Sequence, residues 1–324
     1  MCGSVYFFDQ GEHVHPRWVI AKVPRTPTND RTERNRRFLR EIEIQHRTYY
    51  HRFVCWPFDY RMVLDTPVAL YRAWDGDLAA WIPKEDFSAT SRLAVLIYLC
   101  SALRHCRKRG VACHQDLKPQ NILMRDASNH LREASGSDVF KFPLLADFGL
   151  ANAGRDFQNA EGARPYMAPE QWLLGVADAT SDIFALGVII FEVMTRGSHP
   201  YGGLTREWWP DPINGRSKRW LRPETWEKWA KGGNPITSAP FLVEGVEGIS
   251  RRCMATNRAE RPALDQIQAD LLGVLSSLDR AAAEQARFQA LHADNDPNDG
   301  EWPYRDAQLE RLRRSIDDVE GTSK

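Results

Sequence analysis

His114-Gln115-Asp116-Leu117-Lys118-Pro119-Gln120-Asn121 is the stretch that decides how the rest of the chain is read. It follows a run with helical spacing and precedes a strand-like one, Ile122-Leu123-Met124. A carboxylate, an ammonium two residues on and a carboxamide five residues on are set into one short loop. An aspartate can take the proton of a hydroxyl, and a lysine can neutralise a phosphoryl group in flight. An asparagine oxygen can hold a metal ion. The bland alternative is a polar surface turn, which has no need of these three groups at fixed spacing.

Four further stretches follow in order. Asp147-Phe148-Gly149 ends the apolar run Leu144-Leu145-Ala146, and Tyr166-Met167-Ala168-Pro169-Glu170 comes next. Ser181-Asp182-Ile183-Phe184-Ala185-Leu186-Gly187 opens a buried-looking helix, and Arg261-Pro262 follows Cys253-Met254. A lone Asp-Phe-Gly would be weak, but five ordered matches are specific. Together they resemble the eukaryotic-like protein kinase family, serine/threonine type. The resemblance implies an α+β, two-lobed fold: a small β-sheet N-lobe with one helix, a larger, mainly helical C-lobe, and ATP between them. It implies an N-lobe over residues 1–75, a C-lobe over 76–275 and a polar C-terminal tail over 276–324.

Composition is compatible with this. The chain has 324 residues, 43% hydrophobic and 27% charged, with formal net charge zero. No overall field draws it to nucleic acid or membrane. No apolar run approaches the ~18 residues of a membrane span, the longest being Ile183 to Phe191. The first residues do not show the basic-then-apolar pattern expected of a signal peptide. The six cysteines are scattered without a Cys-x-x-Cys pair, which predicts reduced, buried thiols and a cytoplasmic location.

In chain order, Gly3-Ser4-Val5-Tyr6-Phe7-Phe8 predicts a strand entered from a glycine. By resemblance it is the end of a glycine-rich phosphate loop, which places Gly3 and Val5 at the nucleotide. The preceding strand and glycines of such a loop are not in the sequence, which leaves a misplaced start or a lost lid as the two readings. Trp18-Val19-Ile20-Ala21-Lys22-Val23 is a β-rich run holding one lysine. It resembles the Val-Ala-x-Lys strand, so Lys22 would grip the α- and β-phosphates. Ile20 stands where the family usually has the alanine that roofs the adenine. Residues 30–50 have helical spacing, with Phe38, Ile42 and Tyr49 on one face and Leu39 and His46 beside it. The arginines from Arg31 to Arg40 predict a solvated face, with nucleic-acid binding the lesser alternative. The helical wheel does not separate Glu41 from Glu43 as partner of Lys22. The family match, through Phe38-Leu39-Arg40-Glu41, favours Glu41.

The stretch Val68 to Leu78 resembles the hinge between lobes, so Leu70, Tyr71 and Ala73 would meet the adenine, with Leu123 lining the same pocket. Residues 93–103 predict a helix capped by Ser88 or Thr90 and stopped at Gly110. Residues 125–139 are a polar insertion between two strands. Residues 205–232 hold five of the eleven tryptophans. They form either a satellite core or a docking surface for a partner between Trp208 and Trp229. From Ala281 the chain is polar, with a linker from His292 to Glu301 and a short charged helix from Ala307 to Val319.

Carried over residue by residue, the resemblance makes Asp116 the residue that takes the acceptor's proton and Lys118 the one that steadies the γ-phosphoryl group. Asn121 and Asp147 would hold magnesium. Glu170 would pair with Arg261, and Asp182 would anchor the catalytic loop. Lys118, two after Asp116, is the serine/threonine pattern, and the Ala-Pro-Glu and Asp182 stretches imply a protein substrate. Ala163 replaces a usual threonine. Gln115 replaces the arginine that receives an activating phosphate, and residues 150–165 contain no Ser, Thr or Tyr. The alternatives are a pseudokinase scaffold, favoured by Ile20, Ala163 and the incomplete loop, or a small-molecule phosphotransferase.

Overall fold

The computed structural model describes residues 3–24, 30–48, 50–128, 138–151, 163–205, 223–295 and 305–321. The small lobe is built on four antiparallel strands: β1 (Gly3–Asp9), β2 (Trp18–Pro24), β3 (Asp59–Val63) and β4 (Thr66–Arg72). Their spatial order is β1-β2-β4-β3. The register places Lys22 opposite Ala69 and Ile20 opposite Tyr71. Residues directly opposite share a sheet face, so Ile20, Lys22, Ala69 and Tyr71 all project to one side. That side packs on helix α1 (Arg31–Thr48).

Helix α1 starts where the Asp30 carboxylate accepts from the Thr32 and Glu33 amides. Its apolar stripe of Phe38, Leu39 and Ile42 is buried, as the spacing predicts. Arg36 and Arg37 pair with Glu33 on the outer side, in line with a solvated face. Tyr49 lies outside the described residues.

The hinge leaves β4 and enters the short helix α2 (Leu78–Trp81), where Gly76 has φ +98° and the Met124 amide donates to its carbonyl. The large lobe is organised by two helices buried nearly all round: α3 (Ala89–Lys108) and α5 (Ala179–Met194). Between them in sequence lies α4 (Pro169–Leu174). A helix apolar on every side belongs in the middle of a core. Ser88, not Thr90, caps α3 by accepting from the Ser91 amide, and Gly110 follows its end with φ +88°. The strands β5 (Ile122–Asp126) and β6 (Lys141–Leu145) form a hairpin under the hinge. Residues 129–137 of the expected insertion lie outside the described residues.

Helix α6 (Pro223–Lys231) carries Trp226 and Trp229. Both are buried against His199, Tyr201 and Phe184, so these two rings are core and not a docking surface. Trp208, Trp209 and Trp220 lie outside the described residues. Helices α7 (Val246–Cys253) and α8 (Leu264–Leu278) complete the lobe.

The tail is more structured than its polarity suggests. Helix α9 (Arg280–Asp294) includes His292 to Asp294, where a linker was expected to begin. It packs on α3 and α8, and Arg104 binds Asp294. Helix α10 (Arg305–Gly321) contains the predicted 307–319 helix and lies along α1 of the small lobe. Cys55, Cys100, Cys106, Cys113 and Cys253 are free, buried thiols. No helix among the described residues is long and apolar enough to cross a membrane.

Candidate active site

The site lies between β2, α1 and the loop ahead of β5. Lys22 reaches from the centre of β2 to two carboxylates. Its Nζ is 2.5 Å from Glu41 Oε1 and 3.2 Å from Asp147 Oδ1. Glu41, nearly fully buried, is the α1 carboxylate that turns inward, whereas Glu43 pairs with Arg47 on the outside. Burial by itself works to lower the pKa of Lys22. Glu41 and Asp147 outweigh it and hold the pKa of Lys22 well above the ordinary lysine value. Burial likewise works to raise Asp147, but Lys22 more than offsets it and keeps the carboxyl below its usual range. Lys22 is therefore an ammonium and Asp147 a carboxylate at neutral pH.

The catalytic-loop stretch folds around Asp116. Lys118 Nζ donates to Asp116 Oδ2 at 2.6 Å, and Asn121 Nδ2 donates to the same oxygen at 2.9 Å and to the Asp116 carbonyl at 2.8 Å. No hydroxyl is required from position 163 to keep Asp116 and Lys118 together, because they touch directly. Asp182, at the start of α5, accepts from the His114 amide at 2.8 Å and the Gln115 amide at 3.1 Å. This clamp fixes the loop backbone through Gln115, which has φ +68°. Asp147 too has positive φ, +62°. Non-glycine residues in this region cost energy and persist where surrounding contacts over-determine them. His114 donates from Nε2 to the Ala146 carbonyl at 3.1 Å and packs on Phe148, ring centres 5.0 Å apart. The two strained segments are thereby tied to each other.

Beneath the site, Arg261 forks onto Glu170 at 2.6 and 2.7 Å, and Ser181 adds a bond to the same carboxylate. Both expected structural ties, Glu170 with Arg261 and Asp182 with the loop, are present.

Not every residue expected at the cleft turns toward it. Ile20 and Leu123 are half-buried at the edge of the small-lobe core, one from each lobe. Tyr71 faces the same side as Lys22, but its hydroxyl is spent on Gln45 Oε1 of α1 at 2.6 Å. Leu70 alternates to the opposite face, opposite Ala21 and Asp59. Ala73 gives its amide to the Trp18 carbonyl. Gly3 and Val5 lie on β1, the sheet edge, with Val5 57% exposed. Gln45 was missed by sequence reasoning, since a glutamine on an apolar helix face carries no motif. Residues 152–162 lie outside the described residues, so the expectation of a segment without an activating phosphate is not described there.

A profile of the protein kinase domain matches residues 8–270. Among curated proteins, the chain is 36% identical over 191 residues to "Serine/threonine-protein kinase PknE" of Mycobacterium tuberculosis, covering 57% of this chain and 28% of that protein. It is 32% identical over 149 residues to "Serine/threonine-protein kinase unc-51" of Caenorhabditis elegans, covering 44% and 17%. It is 33% identical over 145 residues to "Serine/threonine-protein kinase Pkn1" of Myxococcus xanthus, covering 43% and 19%. The matched stretch is thus under a third of each of these relatives. With the two-lobed architecture, the Lys22–Glu41 pair and the clamped loop around Asp116 all in place, the chain belongs to the protein kinase family.

Proposed function

We propose that the chain is a protein serine/threonine kinase that uses ATP and magnesium to phosphorylate a hydroxyl of a protein substrate. The observation that carries this reading is Lys22, held as an ammonium between Glu41 of one lobe and Asp147 of the other. A fixed cation there meets the phosphate chain of a nucleotide lying between lobes.

The donor set suits magnesium. Asp147 offers a carboxylate, and Asn121 spends only its amide nitrogen on Asp116, which leaves its oxygen. Two hard oxygen donors are what this ion takes from a protein when phosphates and water supply the rest. Among the described residues no cluster of three or more His, Cys, Asp or Glu forms a closed cage. When bound, the ion neutralises phosphate oxygens and the nucleotide supplies the phosphoryl group.

The chain's own residues do the remainder. Asp116 Oδ2 is occupied by Lys118 and Asn121, leaving Oδ1 to orient the acceptor hydroxyl and take its proton. Lys118 lies beside that carboxylate and balances charge on the group being transferred. Ile20 and Leu123 would close on the faces of the base. Lys118 follows the serine/threonine pattern, and the names of the relatives support the same acceptor class. The test is incubation with γ-labelled ATP, magnesium and a generic acceptor protein. Label on serine or threonine is expected after acid hydrolysis. Label on tyrosine alone, or none, would contradict the reading.

A further inference from the structure

Helix α10 lies beyond the stretch that matches the kinase domain, yet it packs on the element that carries Glu41. Leu309, Leu312 and Ile316 recur on one face of it and are buried, Leu312 completely. Leu312 and Ile316 join Phe38, Leu39 and Ile42 of α1 and Tyr60 of β3 in one apolar cluster. Val319 extends the same face. Polar ties fix the register. Arg311 donates to Asp59 Oδ1 at 3.0 Å and to the Tyr60 carbonyl at 3.1 Å, and its guanidinium lies 4.3 Å from the Tyr60 ring centre. Arg313 stands 3.6 Å from Glu43. Ile42 and Glu43 immediately follow Glu41, so the helix turns that α10 grips are those that aim Glu41 at Lys22. From the other side, Tyr71 of β4 holds Gln45, one helical turn beyond Glu41. Helix α1 is therefore fixed between the sheet and the tail.

We propose that α10 is a positioning element for catalysis. By covering Phe38, Leu39 and Ile42 and tying β3 to α1, it sets the rotation of α1 that brings Glu41 onto Lys22. The tail ahead of it is anchored on the large lobe, where Arg104 and Ser101 of α3 bind Asp294 of α9, and Arg52, between α1 and β3, adds a bond to Gln289 of α9. The segment after residue 270 thus touches both lobes, through α9 and α10 in turn. A helix of this length and charge has little stability by itself. Its order comes from the face it docks, and releasing it frees α1 without disturbing the α3–α5 core. This inference rests on the kinase reading for its activity arm only.

The experiment uses the full chain carrying Leu312→Asp, with Arg311→Ala as a milder variant that buries no charge. Two quantities are read: amide hydrogen exchange along α1, and phosphoryl transfer to a generic acceptor. Faster exchange in α1 is expected, with kcat down roughly tenfold to a hundredfold for Leu312→Asp, a severalfold fall for Arg311→Ala, and little change in the acceptor KM. A synthetic peptide of residues 305–321, added in trans, should restore both quantities, which a merely stabilising tail would not allow. Unchanged exchange in α1, or faster exchange with undiminished kcat or no peptide rescue, would overturn the proposal. The exchange and peptide arms need no activity, so a failure of the kinase reading is distinguished from a failure of this one.

Discussion

At Glu170 the protein commits a carboxylate to the interior of the large lobe, and Arg261, itself with no exposed side-chain surface, answers it with two bonds. A pair of this kind gains little over an apolar replacement, but removing one partner strands the other. Arg261→Ala should therefore lower unfolding free energy by about 3–5 kcal/mol in a denaturant titration. Arg261→Lys should recover only part, because an ammonium cannot reproduce the fork. A loss within the scatter of surface substitutions would show that Glu170 finds another partner. Single residues also set the acid response. Burial lowers His199 to about 3 and His46 to about 4 from an ordinary 6.5, so both are neutral in the folded chain. Each contributes stability that is complete above pH 6.5 and is lost as pH falls through 6.5 toward those values. Glu192 acts in the opposite sense. Burial raises it to about 7 from 4.5, so the folded chain keeps a proton that the unfolded chain gives up, and stability falls as pH rises between 4.5 and 7. Glu192→Gln should steepen the loss of stability between pH 6.5 and 4.5 and raise stability at pH 7 relative to pH 4.5 by about 2–3 kcal/mol. Melting curves across that range check it, and a slope identical to wild type would contradict it.

At the scale of elements, α5 and α7 approach closely at Gly187. Ser250 donates to the Gly187 carbonyl at 2.9 Å. A Cβ at Gly187 would stand 2.7 Å from Cys253 Cβ and 2.8 Å from Met254 Cγ. Alanine favours a helix over glycine by about 1 kcal/mol, whereas overpacking a core costs about 1–3 kcal/mol. The second effect wins where the contacts include a Cβ and a backbone oxygen, so Gly187→Ala should lower the denaturation midpoint. A raised midpoint would mean that α7 can shift at little cost. Elements also show which parts of the sequence were readable. Helix α1 announces itself by period, α3 by period and cap, α5 by its long apolar run, and the loop from His114 to Asn121 by its residue types. The choice between Glu41 and Glu43 did not follow from the wheel, since both lie within reach of a partly buried face. Only the position of β2 makes Glu41 the inward one. The face that Leu70 takes was not readable for a related reason: strand alternation fixes faces only when register is known, and register comes from Lys22 opposite Ala69.

Across the whole molecule, what the sequence hides is long-range docking. The sequence makes α10 legible as a short charged helix, but nothing local names α1 as its partner. Trp226 and Trp229 are ambiguous for the same reason, since burying tryptophan and presenting it to a partner begin from one composition. The catalytic loop was legible because its chemistry is local: Asp116, Lys118 and Asn121 meet across five residues, held from a distance only by Asp182. On the proposed reading, Lys22 of the small lobe and Asp147 of the large lobe serve the nucleotide, and Asp116 of the large lobe serves the acceptor. That division is the central claim, and Asp116→Asn tests it most directly when phosphoryl transfer and ATP affinity are measured on the same protein. Transfer should fall by roughly 10²–10⁴-fold, with ATP affinity unchanged within a few fold. Turnover equal to wild type, or a loss of ATP binding that parallels the loss of transfer, would contradict it.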